Sequence, residues 1–162
     1  MFQVNDADRV LQFEGEHLSF ASSQRPGVDR WAEFNIYRTV GGTYVVSRVG
    51  RSRVYHAEGC QVIRRGRHHR VQAATLGEDA AQCPQCWSPE AREVLGATTS
   101  VYPERAISWA AVCNTAESAV EALAKYDVDG NRYFTNVART LIRDAASRDQ
   151  ALSEAYYLET IV

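Results

Sequence analysis

Four residues constrain this chain more than any others: His56 and Cys60, then Cys83 and Cys86, offer two short-spaced ligand pairs that must meet at one point to share an ion. The pairs are H-x3-C and C-x2-C, twenty-two residues apart, and they take three of the four cysteines. Zinc favours four tetrahedral nitrogen and sulphur ligands, which structural sites commonly draw as two pairs from separate segments. In Cys83-Pro84-Gln85-Cys86 the two intervening residues let both thiolates face one point, and Pro84 stiffens the turn by fixing its own φ. Gly59 lets the backbone bend just before Cys60. Zn2+ is therefore the expected cofactor, with His56, Cys60, Cys83 and Cys86 as its ligands. Two other readings of these residues remain: a histidine at a strand end beside buried cysteines, and a redox Cys-x-x-Cys. Ser88 and Pro89 supply the N-cap and first helical residue that a redox motif wants. No βαβ pattern precedes it, however, and His56 and Cys60 would be left without a role.

At 162 residues the chain can bury one ordinary core, or a moderate core with a metal-stapled annex. Residues 1–10 carry no charged-then-apolar leader, and no long apolar run follows, so no membrane association is expected. With Cys113 left over from the ligand set, these features point to a reducing, cytoplasmic setting.

The formal charge of −2 conceals an asymmetry. Residues 51–70 hold six arginines and one acid, Glu58, so that stretch carries +5 while the remainder carries −7. Seventeen arginines against one lysine, Lys125, make arginine abundance a weak signal by itself. Clustering is the better one: Arg64, Arg65, Arg67, His68, His69 and Arg70 lie between the two ligand pairs, in a loop that a zinc ion would pin at both ends. Such a loop could address phosphates, making nucleic acid the expected partner, DNA ahead of RNA. The alternative is a solvated loop whose charge offsets the net −1 of a zinc bound by three thiolates and a neutral imidazole.

Patterning along the chain predicts an α+β fold. Residues 1–55 read as an antiparallel β-sheet region. Strands are expected at 10–14 and 17–21 around Gly15, then a break at Pro26-Gly27, then a hairpin of 31–39 and 44–49 turned by Gly41-Gly42. A second turn at 50–52 leads to a strand at 53–55 that delivers His56. A zinc-stapled module spanning 44–96 shares these strands and holds short helices before Cys83 and over 88–95; 97–103 reads as a connector. Residues 104–162 form a helical region. Ala116, Ala119, Val120 and Leu123 recur at helical spacing behind Asn114-x-x-Glu117, Phe134 to Ala145 repeats the pattern, and a third helix is expected around Ala151 to Tyr156. Asp127 to Asn131 has the look of a calcium loop, but position 138 is an alanine where a bidentate glutamate is required, so a helix–helix turn is expected.

The segments 44–50, Val54-Tyr55-His56-Ala57-Glu58-Gly59-Cys60 and Cys83-Pro84-Gln85-Cys86 resemble the Ada-type metal-binding module, most closely the versions appended to nucleases and competence proteins. The resemblance covers residues 44–87 and implies a compact zinc-binding unit of the kind that accompanies DNA-handling proteins. Two features depart from the family. Ala80-Ala81-Gln82 stand where it has a glycine, an aromatic and a proline, and His56 occupies the place of the cysteine that accepts alkyl groups in its reactive members. Alkyl transfer at that position is thereby removed.

These readings converge on a non-catalytic zinc-binding accessory or regulatory protein that contacts nucleic acid through its basic loop. A protein-interaction adaptor, with the C-terminal helices engaging a partner through Tyr133, Tyr156, Tyr157 and Leu158, is the alternative. A small metal-dependent nuclease using His68 or His69 is a third reading, but no asparagine lies within 61–113 and no histidine follows His69.

Overall fold

The computed structural model describes residues 1–57, 60, 71–72, 81–84, 100–104 and 106–158. The chain divides into two units, one formed by Met1–Ser23, Ala32–Val49 and Ser108–Val162, the other by Gln24–Trp31 and Gly50–Ile107. The fold is α+β, with antiparallel sheets toward the N-terminus and three helices toward the C-terminus.

The first unit begins with a hairpin of β1 (Phe2–Asp6) and β2 (Arg9–Phe13), paired from Phe2 opposite Phe13 to Asp6 opposite Arg9. Its two-residue turn puts Ala7 at φ 54°, a left-handed conformation unusual for alanine. The turn thus lacks the glycine or asparagine that would have flagged it, and residues 10–13 of the expected 10–14 strand pair with β1 rather than with 17–21. β3 (Gly15–Ser22) pairs instead with β4 (Arg30–Thr39), which turns through Gly42 at φ 85° into β5 (Tyr44–Ser52).

Alternation along these strands separates two apolar faces. Ile36, Tyr44 and Val46 point into the larger core, while Val45 and Tyr37 join Val4, Leu11 and Phe13 beneath the β1–β2 hairpin. Covering on both faces explains the unbroken burial of residues 44–47. On the larger core lie α1 (Ala116–Leu123), α2 (Asn136–Ala146) and α3 (Gln150–Tyr157), contributing Val120, Leu141, Ile142 and Leu152. Each helix starts at a side-chain cap: Thr115, Thr135 and Asp149 accept from the backbone N–H groups of Ser118, Ala138 and Leu152. Asp149 is buried and also accepts from the Tyr44 hydroxyl, at 3.0 and 3.1 Å, tying α3 to the sheet.

Two expectations change here. Residues 127–131 turn a hairpin of two short strands rather than linking two helices directly, the strands being Lys125–Tyr126 and Arg132–Tyr133. The Asp127 carboxylate closes that turn by accepting from the N–H groups of Asp129 and Asn131, at 2.9 and 2.8 Å. Residues 107–113 form a further strand, Ile107–Cys113, which lies beside β5 in the four-stranded sheet.

The second unit holds a smaller sheet of four strands, β6 (Val54–Ala57), β7 (Val71–Gln72), β8 (Ala81–Gln82) and β9 (Ser100–Pro103), ordered β7-β9-β6-β8. β9 occupies the stretch whose sequence reads as a connector, and β5 continues through Gly50 to Ser52 where a turn is expected. Backbone pairing overrides the local turn signal at Gly50, because a glycine in a strand is weakened but not forbidden. Among the described residues, no helix is long and apolar enough to cross a membrane.

Candidate metal centre

β6 is an inner strand of the smaller sheet, and its two neighbours assemble the site. On one side β8 runs parallel to it, Val54 opposite Ala81 and Tyr55 opposite Gln82. One residue further on, the Cys83 N–H donates to the Tyr55 carbonyl at 3.0 Å, so the thiol arrives beside His56. On the other side β9 runs antiparallel, His56 opposite Tyr102. The Glu104 N–H donates to the Val54 carbonyl at 3.1 Å, placing its carboxylate two residues beyond Tyr102 and on the same face as His56. Cys60 follows four residues after His56 in the chain.

The three donors are inaccessible to solvent or nearly so: His56 is 0% exposed, Cys60 4% and Cys83 4%. Their ligand atoms all lie within 4.8 Å of one another, and His56 Nδ1 is 3.5 Å from Cys60 Sγ. Opposite the sulphurs, His56 Nε2 lies 2.9 Å from Glu104 Oε1. An ionised carboxylate only accepts, so the imidazole donates through Nε2, and Nδ1 is the ring nitrogen that faces Cys60. That is the arrangement in which a carboxylate fixes the tautomer and ring orientation of a metal-bound histidine.

Glu104 is itself held. Arg30 Nε donates to Oε2 at 2.8 Å and Arg30 Nη2 to Oε1 at 2.5 Å, a two-pronged grip on the carboxylate. Burial pushes the Glu104 carboxyl up, but hydrogen bonds from Arg30, Ser52 and His56 outweigh it and bring the group down to about 2. The hydrogen bond to Glu104 in turn raises the Arg30 guanidinium. Arg53 pairs with Asp29 through side chain, at 2.7 Å, and backbone, at 3.0 Å, fastening the segment that carries Arg30 to the start of β6.

One imidazole nitrogen and two sulphurs, buried and convergent, could hold a metal ion. Such donors suit the borderline and soft transition metals and not calcium or magnesium, which take oxygen ligands. Cys86, the fourth ligand expected from sequence, lies outside the described residues, as do Arg64, Arg65, Arg67, His68, His69 and Arg70 of the basic loop. Glu104 and Arg30 are the members of the centre that sequence patterning missed. Neither sits in a ligand motif, and only the β6–β9 register brings Glu104 to a histidine 48 residues earlier.

No family model, curated protein or solved structure matches this chain.

Proposed function

We propose that His56, Cys60 and Cys83, with Cys86 as fourth ligand, bind Zn2+ in a structural role, and that the protein is a non-catalytic zinc-binding accessory or regulatory factor contacting nucleic acid through its basic loop. The observation that carries the zinc reading is the His56–Cys60 contact with Glu104 behind it. Zn–S and Zn–N bonds of about 2.3 and 2.05 Å, set at tetrahedral angles, leave sulphur and nitrogen about 3.5 Å apart. Nδ1 and Sγ are 3.5 Å apart. Four protein ligands would leave no coordination position for water, so the ion would staple the segment and not react. A reducing, cytoplasmic compartment accords with cysteines used as thiolate ligands.

The nucleic-acid reading rests on the +5 charge of residues 51–70 in a chain of net −2. Four arginines, Arg64, Arg65, Arg67 and Arg70, would each neutralise one phosphate, and the logarithm of the binding constant should then fall against log salt with a slope of about −3.6. Native mass spectrometry with and without chelator reads the metal, and fluorescence anisotropy of labelled duplex DNA across a salt series reads the partner. The zinc-loaded protein should bind with that slope and lose binding when all four arginines become glutamine. Affinity that ignores salt, or survives the substitutions, sinks the DNA reading and leaves the metal reading to the mass measurement. The adaptor reading is favoured by one observation: Tyr157 and Leu158 are exposed at the end of α3.

A further inference from the structure

The helical layer does not cover the whole sheet face in the first unit. It closes over Ile36, Tyr44, Val46 and Cys113, but Phe34, Arg48 and Trp109, on the same face, line a cavity of about 370 Å³ beside Leu123, Lys125 and Thr135. A cavity of this size is within the range of small-molecule sites. Its walls combine two chemistries. Phe34 and Trp109 supply aromatic surface, with Trp109 still 39% exposed. Arg48 and Lys125 supply two positive charges, and no aspartate or glutamate stands among the described residues of the lining. Among the described residues neither cation has an ion-pair partner; the Arg48 guanidinium lies 5.8 Å from the Phe34 ring centroid. The carboxyl end of α1 and the amino end of α2 both border the cavity, and their opposite partial charges offset one another. The positive potential therefore comes from the two side chains.

We infer that this cavity is a binding site for a small planar aromatic anion, its ring against Trp109 and Phe34 and its acidic group between Arg48 and Lys125. Flat rings stack on aromatic side chains at low entropic cost, and a carboxylate or phosphate that pairs two cations in a partly enclosed site gains more than it would in open water. An apolar ligand would leave both cations without a counter-charge, and a charged ligand without a ring would leave the aromatic walls wet. The cavity shares no lining residue with the metal ligands or with the arginines of the proposed DNA contact.

The chain's single lysine gives the test a one-site readout. The full-length protein is titrated with 2-naphthoate and with 2-naphthamide, its uncharged counterpart, by isothermal calorimetry, and acetylation of Lys125 by an amine-reactive ester is followed by mass spectrometry. Naphthoate should bind below about 1 mM, at least about tenfold more tightly than the amide. It should protect Lys125 from acetylation while the α-amino group of Met1 reacts at an unchanged rate. Arg48→Gln and Lys125→Gln, both at exposed side chains, should each weaken naphthoate about three- to tenfold and leave the amide unaffected. Arg9→Gln, outside the cavity, should change nothing. Equal affinity for acid and amide, or equal protection of Lys125 and Met1, overturns the assignment, as does the absence of naphthoate binding to the folded wild-type protein.

Discussion

Glu104 grips His56 from behind, its Oε1 2.9 Å from Nε2, and thereby turns the Nδ1 face of the imidazole toward Cys60 and Cys83. Two strands meet in that contact. β6 supplies the histidine, and the carboxylate comes from the residue directly after β9, whose backbone N–H bonds to the Val54 carbonyl of β6.

Replacing Glu104 by alanine should therefore weaken metal binding without removing any ligand. Loss of a partner that orients a metal-bound histidine commonly costs about 10- to 100-fold in affinity. Glu104→Gln, whose amide oxygen can still accept from Nε2, should fall between wild type and Glu104→Ala. Competition against a chromophoric chelator measures both; less than about a twofold change in the alanine variant would show that the sheet alone orients His56.

Removing the ion should act on one unit selectively. The smaller sheet contains two strands of two residues each and has little apolar core among the described residues, whereas the first unit buries Leu18, Ile36, Leu141, Ile142 and Leu152. Hydrogen exchange after chelation should show protection lost across Val54–Ala57 and Ser100–Pro103 and kept across Asn136–Ala146. Uniform loss through both units would argue that the chain unfolds as one body.

The Tyr44–Asp149 contact sets an alkaline limit on the first unit. Burial first, then the hydrogen bond to Asp149, pushes the Tyr44 hydroxyl up to about 12 from its usual 10. The folded state thus holds this proton more tightly than the unfolded chain. Its contribution is complete below about pH 10 and is lost as pH rises toward about 12, with a limit of roughly 2–3 kcal/mol for two units. Tyr44→Phe should be less stable than wild type at neutral pH in urea melts, and its stability should fall less between pH 10 and 12.

At Gly15 the constraint is one of space. A Cβ there would meet the Arg38 carbonyl oxygen at 2.1 Å and the Thr39 Cα at 2.8 Å, both backbone atoms of the paired strand. Gly15→Ala should destabilise by more than about 2 kcal/mol, because β3 and β4 must separate locally to admit the methyl group. Gly41→Ala, whose Cβ would meet nothing closer than the Thr39 hydroxyl oxygen at 3.8 Å, is the control and should cost under about 1 kcal/mol. Urea midpoints of the two variants decide it.

What could be read from the sequence follows the range of the interaction that determines it. Gly41-Gly42 announces its hairpin, and the spacing of Val120, Leu141 and Ile142 announces helices, because turn chemistry and periodicity act over a few residues. The grouping of His56, Cys60 and Cys83 was open to inspection for the same reason, each being part of a short-spaced pair. The first hairpin was hidden because Ala7 adopts a conformation its residue type disguises. α1 is capped by Thr115 and not by Asn114 one residue earlier, since both residue types cap and only geometry chooses. Glu104 and Asp149 were invisible: their partners, His56 and Tyr44, lie 48 and 105 residues away, and no local pattern encodes such a pairing.

The two-residue parallel ladder between β6 and β8 also bears on how the centre would assemble around an ion. His56 and Cys60 lie four residues apart in the chain, whereas Cys83 comes to them across twenty-two intervening residues and onto a ladder of two residue pairs. An ion held first by His56 and Cys60 would shorten that search, giving Cys83 a fixed target. Metal supply during synthesis would then govern how quickly this unit matures, as well as how firmly it holds once formed.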